Sequence, residues 1–513
     1  MSIAMTTLAD KVRLLLNSGL FDERWYVERY PDVAHCGMSP AEHFVRVGQH
    51  IGRKASRDAD GRASEFLVAY REPPAIDAQV DPGLCQRIAS SGLFDDAWYV
   101  KHHASDTLAG QSAPVPELIA DYLRRSAQDP SIDPGPLFST LQYAKFHPDS
   151  RKTAPLAHAV DHGFAEGRAI FDANRVDAFL AENCEISLTS IDALLDLSLP
   201  VHVVHWADGN FFFSEIAAYL KAALGRAGYS VTCDTDLAKP ESFKGNIVIV
   251  APHEFCVHGP GKKWREPLLR QAIYLNTEQW HTSWFSLAYK FLKLSNKAID
   301  MNPASAAGLQ ALGIETAFLP LLPMAGSPFE VSRAPLSDGF AKARYIEKLT
   351  YPEMLAQRPY DVLFVGASNP RREKALATLA PVLADHEAFI HCPRFDGPVR
   401  QGDPDMLATG DLVQIARNAK ILLNIHQGES RYFEWHRLFL FGIVEGCVVL
   451  TEPCIPNRYV EAGEHFLECR LQDMPERLRW LLETPEGQAE MGRIRNNCDQ
   501  LRARTSDWSR LAA

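Results

Sequence analysis

The sequence predicts an α/β protein: two doubly wound halves, each a parallel sheet wrapped in helices, preceded by an all-helical segment. Three observations predict it. From Leu199 onward, short apolar runs rich in Val, Ile and Leu alternate with helical stretches, the texture of βαβ units. The alternation breaks in a polar, proline-containing link, 324–359, and then restarts. The first third lacks such runs and instead repeats itself.

Composition bounds the remaining possibilities. At 513 residues, 46% hydrophobic and 23% charged, the chain is long enough for about three domains of ~100–200 residues. A net charge of −11 argues against a general nucleic-acid binder, which needs a basic surface against phosphates. The ten cysteines form no CxxC pair and no Cys/His cluster, so a disulfide scaffold and a structural zinc site are excluded, and a reducing compartment is expected. No signal-peptide core opens the sequence, and no window approaches the ~20 apolar residues of a membrane span.

The repeat occupies 1–171, with copies at about 20–53, 91–131 and 137–168. The first and last share Leu-Phe, then Tyr26 or Tyr143, Pro-Asp at Pro31 or Pro148, ProxxHis at Pro40 or Pro155, and GxxxxArg ending at Arg53 or Arg168. Each reads as two short helices, the second opening on its proline. His43 and His158, fixed within that unit, read as packing residues. The run "REPPAIDAQVDPG" reads as a linker between copies. The unit resembles the short helical "YPDV...GxxPxxHYxxxGxxEGR" modules attached to bacterial surface-polysaccharide glycosyltransferases. That resemblance implies attachment, through a protein partner or self-association, and no chemistry.

The first α/β half, 199–323, runs through "PVHVVHWADGN", "FFFSEIAAYLKAALGRAGY", "SVTCDTD", "GNIVIVAPHEF", "AIYLNTEQW" and "KAIDMNPASAAGLQALGIETAFLPLLP". The second, 358–513, runs through "YDVLFVGASNPRREKALATLAPVL", "HEAFIHCP", "DLVQIARNAKILLNIH" and "HRLFLFGIVEGCVVLTEP", and ends in helices. Two Rossmann-like halves with closing helices resemble the GT-B glycosyltransferase fold. The short motifs "LNTEQ", "FVGASNPRRE" and "ARNAKILLNIHQ...FEWHRL...EGCVVLTE" extend the resemblance, the last to the donor-binding region of nucleotide-sugar transferases. It implies sugar transfer from a nucleotide diphosphate donor to a glycan or lipid-linked glycan, in the cytoplasm or peripherally at the inner membrane. The glutamate pair of many retaining members is absent: where the second would stand, five positions before Gly446, lies Phe441. An epimerase on the same fold and a non-catalytic glycan-binding scaffold remain alternatives.

Ligands of open parallel sheets bind beyond the carboxyl ends of the strands. A donor site is therefore expected where "ILLNI" ends, at Asn424 and His426, before a helix beginning near Phe433. Arg431 and Arg437 suit a pyrophosphate, and Glu434 and Glu452 suit ribose and sugar hydroxyls. In "GASNPRRE", Gly366 lets the backbone turn closely, and Arg371 and Arg372 stand in a first helical turn where they oppose the dipole unless an anion is present. On the acceptor side, His205, Asp208, His253 and Glu254 follow strands, and Glu278 lies in "LNTEQ". Asp208 is the first choice of general base, ahead of His253 and Glu254. "DAD" at Asp58–Asp60 and "DPD" at Asp403–Asp405 read as solvated loops, so no metal and no cofactor beyond the donor substrate is expected.

Overall fold

The computed structural model describes residues 8–57, 81–103, 113–196, 198–237, 240, 243–324, 326–329, 349, 352–395, 397, 399–400, 403 and 405–505. The chain forms two compact units, Met1–Arg175 and Val176–Ala513. Most of the link 324–359, Asp58–Asp60 and most of the linker before Gly83 lie outside the described residues.

In the first unit the repeated residues meet one another. Asp22 caps Glu23–Arg29 by accepting from the Trp25 N–H, and Ser39 caps Pro40–Arg46. The two short helices are joined through a buried bond, Tyr26 Oη to His43 Nδ1 at 3.0 Å. The Tyr26 ring lies so close to Gly48 that a Cβ there would collide with its hydroxyl. Arg53 closes the unit on Asp32 at 2.8 Å. The last copy repeats this: Tyr143 Oη to His158 Nδ1 at 3.1 Å, the hydroxyl over Gly163, and Arg168 on Asp149 at 2.7 Å. In the middle copy the Tyr99 hydroxyl donates instead to Asp121 at 2.8 Å, and five residues on, at the glycine position, stands buried Ser126. Burial pushes the histidine pKa values down, so both tyrosine partners are neutral rings.

The second unit contains two parallel sheets. The first is built from β1 (Val201–Val204), β2 (Val231–Asp234), β3 (Asn246–Val250), β4 (Ile273–Asn276), β5 (Lys297–Asp300) and β6 (Glu315–Phe318), in the order β2-β1-β3-β4-β5-β6. The second comprises β7 (Tyr360–Val365), β8 (Ala388–His391), β9 (Ala419–Asn424), β10 (Val448–Thr451) and β11 (Leu467–Glu468), in the order β11-β10-β9-β7-β8. Every described pairing is parallel. Central strands such as β1, β4 and β10 are buried at every residue, as expected when helices cover both faces, and are mostly apolar, with His202, Asn276 and Thr451 the polar positions. Two Rossmann-like halves facing each other across a cleft make this the GT-B arrangement.

Two helix starts position the cleft. Asn210 caps Phe211–Arg226 through the Phe212 N–H, and Asn369 caps Pro370–Leu383 through the Arg372 N–H at 2.8 Å, with Pro370 preset for the first turn. The helix expected near Phe433 begins instead at Trp435, and His436–Ile443 is wound as a π-helix, a form common at functional sites. It packs tightly on β9 and β10: a Cβ on Gly442 would lie 3.0 Å from Leu422 Cδ2 and would collide with Val449. The preceding segment reaches across to the helix Ala173–Asn183 and to the first half. Ser430 donates to Asp177, the Asn302 amide to the Phe433 carbonyl at 2.6 Å, and the Trp435 indole N–H to the Leu321 carbonyl.

Candidate functional site

A cavity of about 300 Å³ opens between the carboxyl ends of the two sheets. One wall comes from the loop and helix after β1, through Asn210, Phe212 and Glu215; the other comes from Gly366, Arg372, Glu434, His436 and Arg437. The halves touch at its rim, where the Phe211 N–H donates to the Val399 carbonyl at 2.8 Å and the Thr409 hydroxyl to Glu215 at 2.6 Å.

Gly366 sits beneath two guanidinium groups. A Cβ there would lie 2.7 Å from Arg437 Nη1 and 3.0 Å from Arg372 Nη1, so a side chain would push the Arg437 guanidinium off the backbone. Arg372 is 2% exposed and donates to the carbonyls of Ile425 and Ala367, while its Nη2 finds no partner among the described residues. Burial, reinforced by the nearby Arg437 charge, lowers its pKa to about 10, so it stays charged at neutral pH. Arg437 holds the Val365 carbonyl at 2.7 Å and both oxygens of Glu434. Burial works against the Glu434 charge, yet Arg437 keeps its carboxyl below the usual range. The result is a buried cationic cradle at a helix N-terminus with a donor to spare, which is what an anion such as a diphosphate requires.

The other donor-side candidates are placed differently. Arg371 and Arg372 are neighbours on a helix and point apart: Arg371 turns from the cavity into a two-bond pair with Glu452, at 2.8 and 2.5 Å, and a third bond to Glu429. Glu452 also accepts the His426 N–H. Burial opposes the Glu452 charge, and Arg371 outweighs it, so Glu452 stays ionised. His426 is pushed down to about 4 by burial, and Asn424 ties β9 to β10 through Thr451. Arg431 is exposed, and its backbone N–H bonds Asp177. These five buttress the site or stand off it and do not line the cavity.

On the acceptor side, Asp208 sits exposed at the turn after β1, not in the cavity wall. A charged residue in a tight polar turn gains most by staying in water, and Asp208 does so. Behind it, Glu254 accepts the Asn210 N–H at 3.0 Å, and burial raises its pKa. His253, 2% exposed, is pushed down to about 3 by burial and is therefore a neutral ring; its Nε2 lies 3.4 Å from Glu278 Oε1. Glu278 is pushed up to about 7, chiefly by burial, with the Glu254 charge adding to it. His205 is half-buried, and burial lowers its pKa.

The sequence assigns no individual role to two wall residues, although His436 stands within the "FEWHRL" motif. Glu215, pushed up to about 7 by burial, lies within an otherwise apolar helix stretch. His436 is ringed by Phe212 and Phe441 at 4.1 and 4.4 Å; burial pushes it down to about 3, and its Nε2 has no partner among the described residues. Among the described residues no group of three or more His, Cys, Asp or Glu is placed to hold a metal, and no helix is long and apolar enough to cross a membrane. Of the DPD loop, Asp403 accepts the Asp405 N–H, and Asp405 reaches the cavity rim.

The chain matches no family model and no curated protein. Among solved structures it is similar to Anabaena HepE in complex with UDP and glucose, at 11% identity and a TM-score of 0.37, covering 61% of this chain and 97% of that one. It is also similar to sucrose-phosphate synthase from Thermosynechococcus elongatus, at 13% identity and a TM-score of 0.40, covering 61% and 96%. A third is the glycosyltransferase SnogD from Streptomyces nogalater, at 13% and 0.28, covering 59% and 96%. At these values the likenesses add no weight to the strand order and cavity described above.

Proposed function

We propose that the chain is a glycosyltransferase that moves a sugar from a nucleoside diphosphate sugar to a glycan or lipid-linked glycan, in the assembly of a bacterial cell-surface polysaccharide. The observation that carries this reading is the cradle at Gly366, where Arg372 and Arg437 converge on a helix N-terminus and one buried Arg372 donor is left unpartnered. In this reading the diphosphate lies on that cradle, Glu434 accepts a sugar hydroxyl, and the acceptor enters from the side of Glu254. Glu254 takes the acceptor proton as the acceptor oxygen attacks the anomeric carbon. The bond from that carbon to the diphosphate breaks, and the two guanidiniums hold the departing charge, so the reaction runs without a metal.

The test is calorimetric titration of UDP, GDP, ADP and dTDP, each alone, into the wild type and Arg372→Lys. Tight binding of one nucleotide, weakened at least ~10-fold in the variant, supports the reading, because a point charge cannot reproduce the guanidinium fork. Absence of binding by all four sinks it. Turnover of the matching nucleotide sugar that needs no acceptor would identify an epimerase instead.

A further inference from the structure

A second cavity, of about 550 Å³, lies on the acceptor side of the same half, walled by Trp206, Trp264, His258, Lys262, Lys263 and Asp236. The loop after β1 borders both cavities. It puts Trp206 in one cavity and Asn210 in the other, and the Glu254 carboxylate bonds the Asn210 N–H. The turn after Glu254 closes the arrangement: the N–H groups of His258 and Gly259 both donate to the Glu254 carbonyl at 2.9 Å.

The aromatic wall is built. Trp206 packs on Gly259, where a Cβ would come within 2.9 Å of its ring, and its other edge borders Gly209. His258 stacks toward it with ring planes 27° apart, and beyond His258 stands Trp284, 47% exposed. Indole faces of this kind offer the apolar surface on which the C–H face of a sugar ring packs. Lys262 and Lys263 are exposed, and neither has an ion-pair partner among the described residues; Asp236, the one acidic lining residue among them, already accepts the Leu237 N–H. Among the described lining residues two ammonium groups stand against one carboxylate, in a chain whose net charge is −11.

We infer that this cavity is a subsite for an acidic sugar unit of the acceptor glycan, with the ring on Trp206 and its negative group on Lys262 and Lys263. The inference rests on the transferase reading. The loop after β1, which Glu254 holds at the Asn210 N–H, contributes to both cavities and so links the acceptor subsite to the donor side.

Titration of the full chain with a glucuronate-containing hyaluronan tetrasaccharide and with neutral cellotetraose, read by calorimetry and tryptophan fluorescence, tests it. The acidic oligomer is expected to bind at least ~10-fold tighter, with a preference that shrinks as salt screens the lysines. Lys262→Ala/Lys263→Ala should abolish the preference, and Trp206→Ala should weaken both oligomers. Nucleotide binding should stay at wild-type strength in the lysine variant, which also reports that the protein is folded. Equal binding of the two oligomers, binding of neither, or a preference that survives loss of both lysines overturns the inference. Oligosaccharide binding as expected in a protein that binds no nucleotide would overturn the transferase reading and leave the acidic subsite standing.

Discussion

The guanidinium of Arg437 lies over the Cα of Gly366, and a side chain at residue 366 would sit 2.7 Å from its Nη1. Arg437 cannot retreat freely, because it is tied to Val365 and Glu434. Gly366→Ala should therefore push the guanidiniums apart and weaken nucleoside diphosphate binding by about tenfold or more, while costing about 1–3 kcal/mol of stability from overpacking. Calorimetry and a thermal melt separate the two. Unchanged affinity would remove this glycine from the donor site.

Glu278 makes a prediction about pH. Its carboxyl titrates near 7 in the fold against an ordinary value of 4.5, because burial disfavours the charge. The folded state thus holds the proton more tightly than the unfolded chain, so the group's contribution is fully present below about pH 4.5 and is lost as pH rises through 7. Glu278→Gln, which is neutral throughout, should match the wild type near pH 4 and exceed it at pH 8 by up to about 3 kcal/mol. A variant less stable than wild type at pH 8 would mean that Glu278 is ionised and paired with a protonated His253.

The helix Ala173–Asn183 begins just after Asp172, whose carboxylate accepts the Arg175 N–H, and carries the Asp177 that holds Ser430 and Arg431. A fragment from Asp172 to Ala513 keeps that cap and that contact. It is expected to be soluble and to bind nucleotide within about threefold of the full chain. A fragment begun past Asp177 should bind more weakly, and equal binding by the two would show that the Asp177 contact is dispensable to the cradle.

In the last repeat copy, Gly163→Ala should be costly because the new methyl meets the Tyr143 hydroxyl. Tyr143→Phe alone should cost about 1–3 kcal/mol by leaving the buried His158 Nδ1 without its partner. Together the two changes should cost less than their sum, since the phenylalanine vacates the space the methyl needs. Additive melting shifts would show that the hydroxyl and the glycine do not compete for one space.

What could be read beforehand follows from the kind of physics involved. Strands such as β1 and β10 are buried at every position because both faces are covered, and their runs, apolar except for His202 and Thr451, are visible in one dimension. The split between Arg371 and Arg372 is not: they are adjacent in sequence, and only the helical turn of ~100° per residue sends one to Glu452 and the other under the cavity floor. Asp208 drew attention as a carboxylate after a strand, yet Glu254, four residues after β3, reaches the Asn210 wall because its short helix folds back toward that loop. Glu215 was hidden because a lone acid in an apolar helix announces nothing until the opposite half supplies Thr409.

The tyrosine hydroxyl over its glycine also bears on how the copies could have diverged. Tyr26, His43 and Gly48 share one small space, as do Tyr143, His158 and Gly163, so a replacement at any one is tolerated only alongside a matching replacement at another. The middle copy shows the linked outcome, with Asp121 where the histidine would be and Ser126 where the glycine would be, while Tyr99 is kept. A unit changed at one of these positions alone is therefore expected to lose stability that a matching change at the other restores.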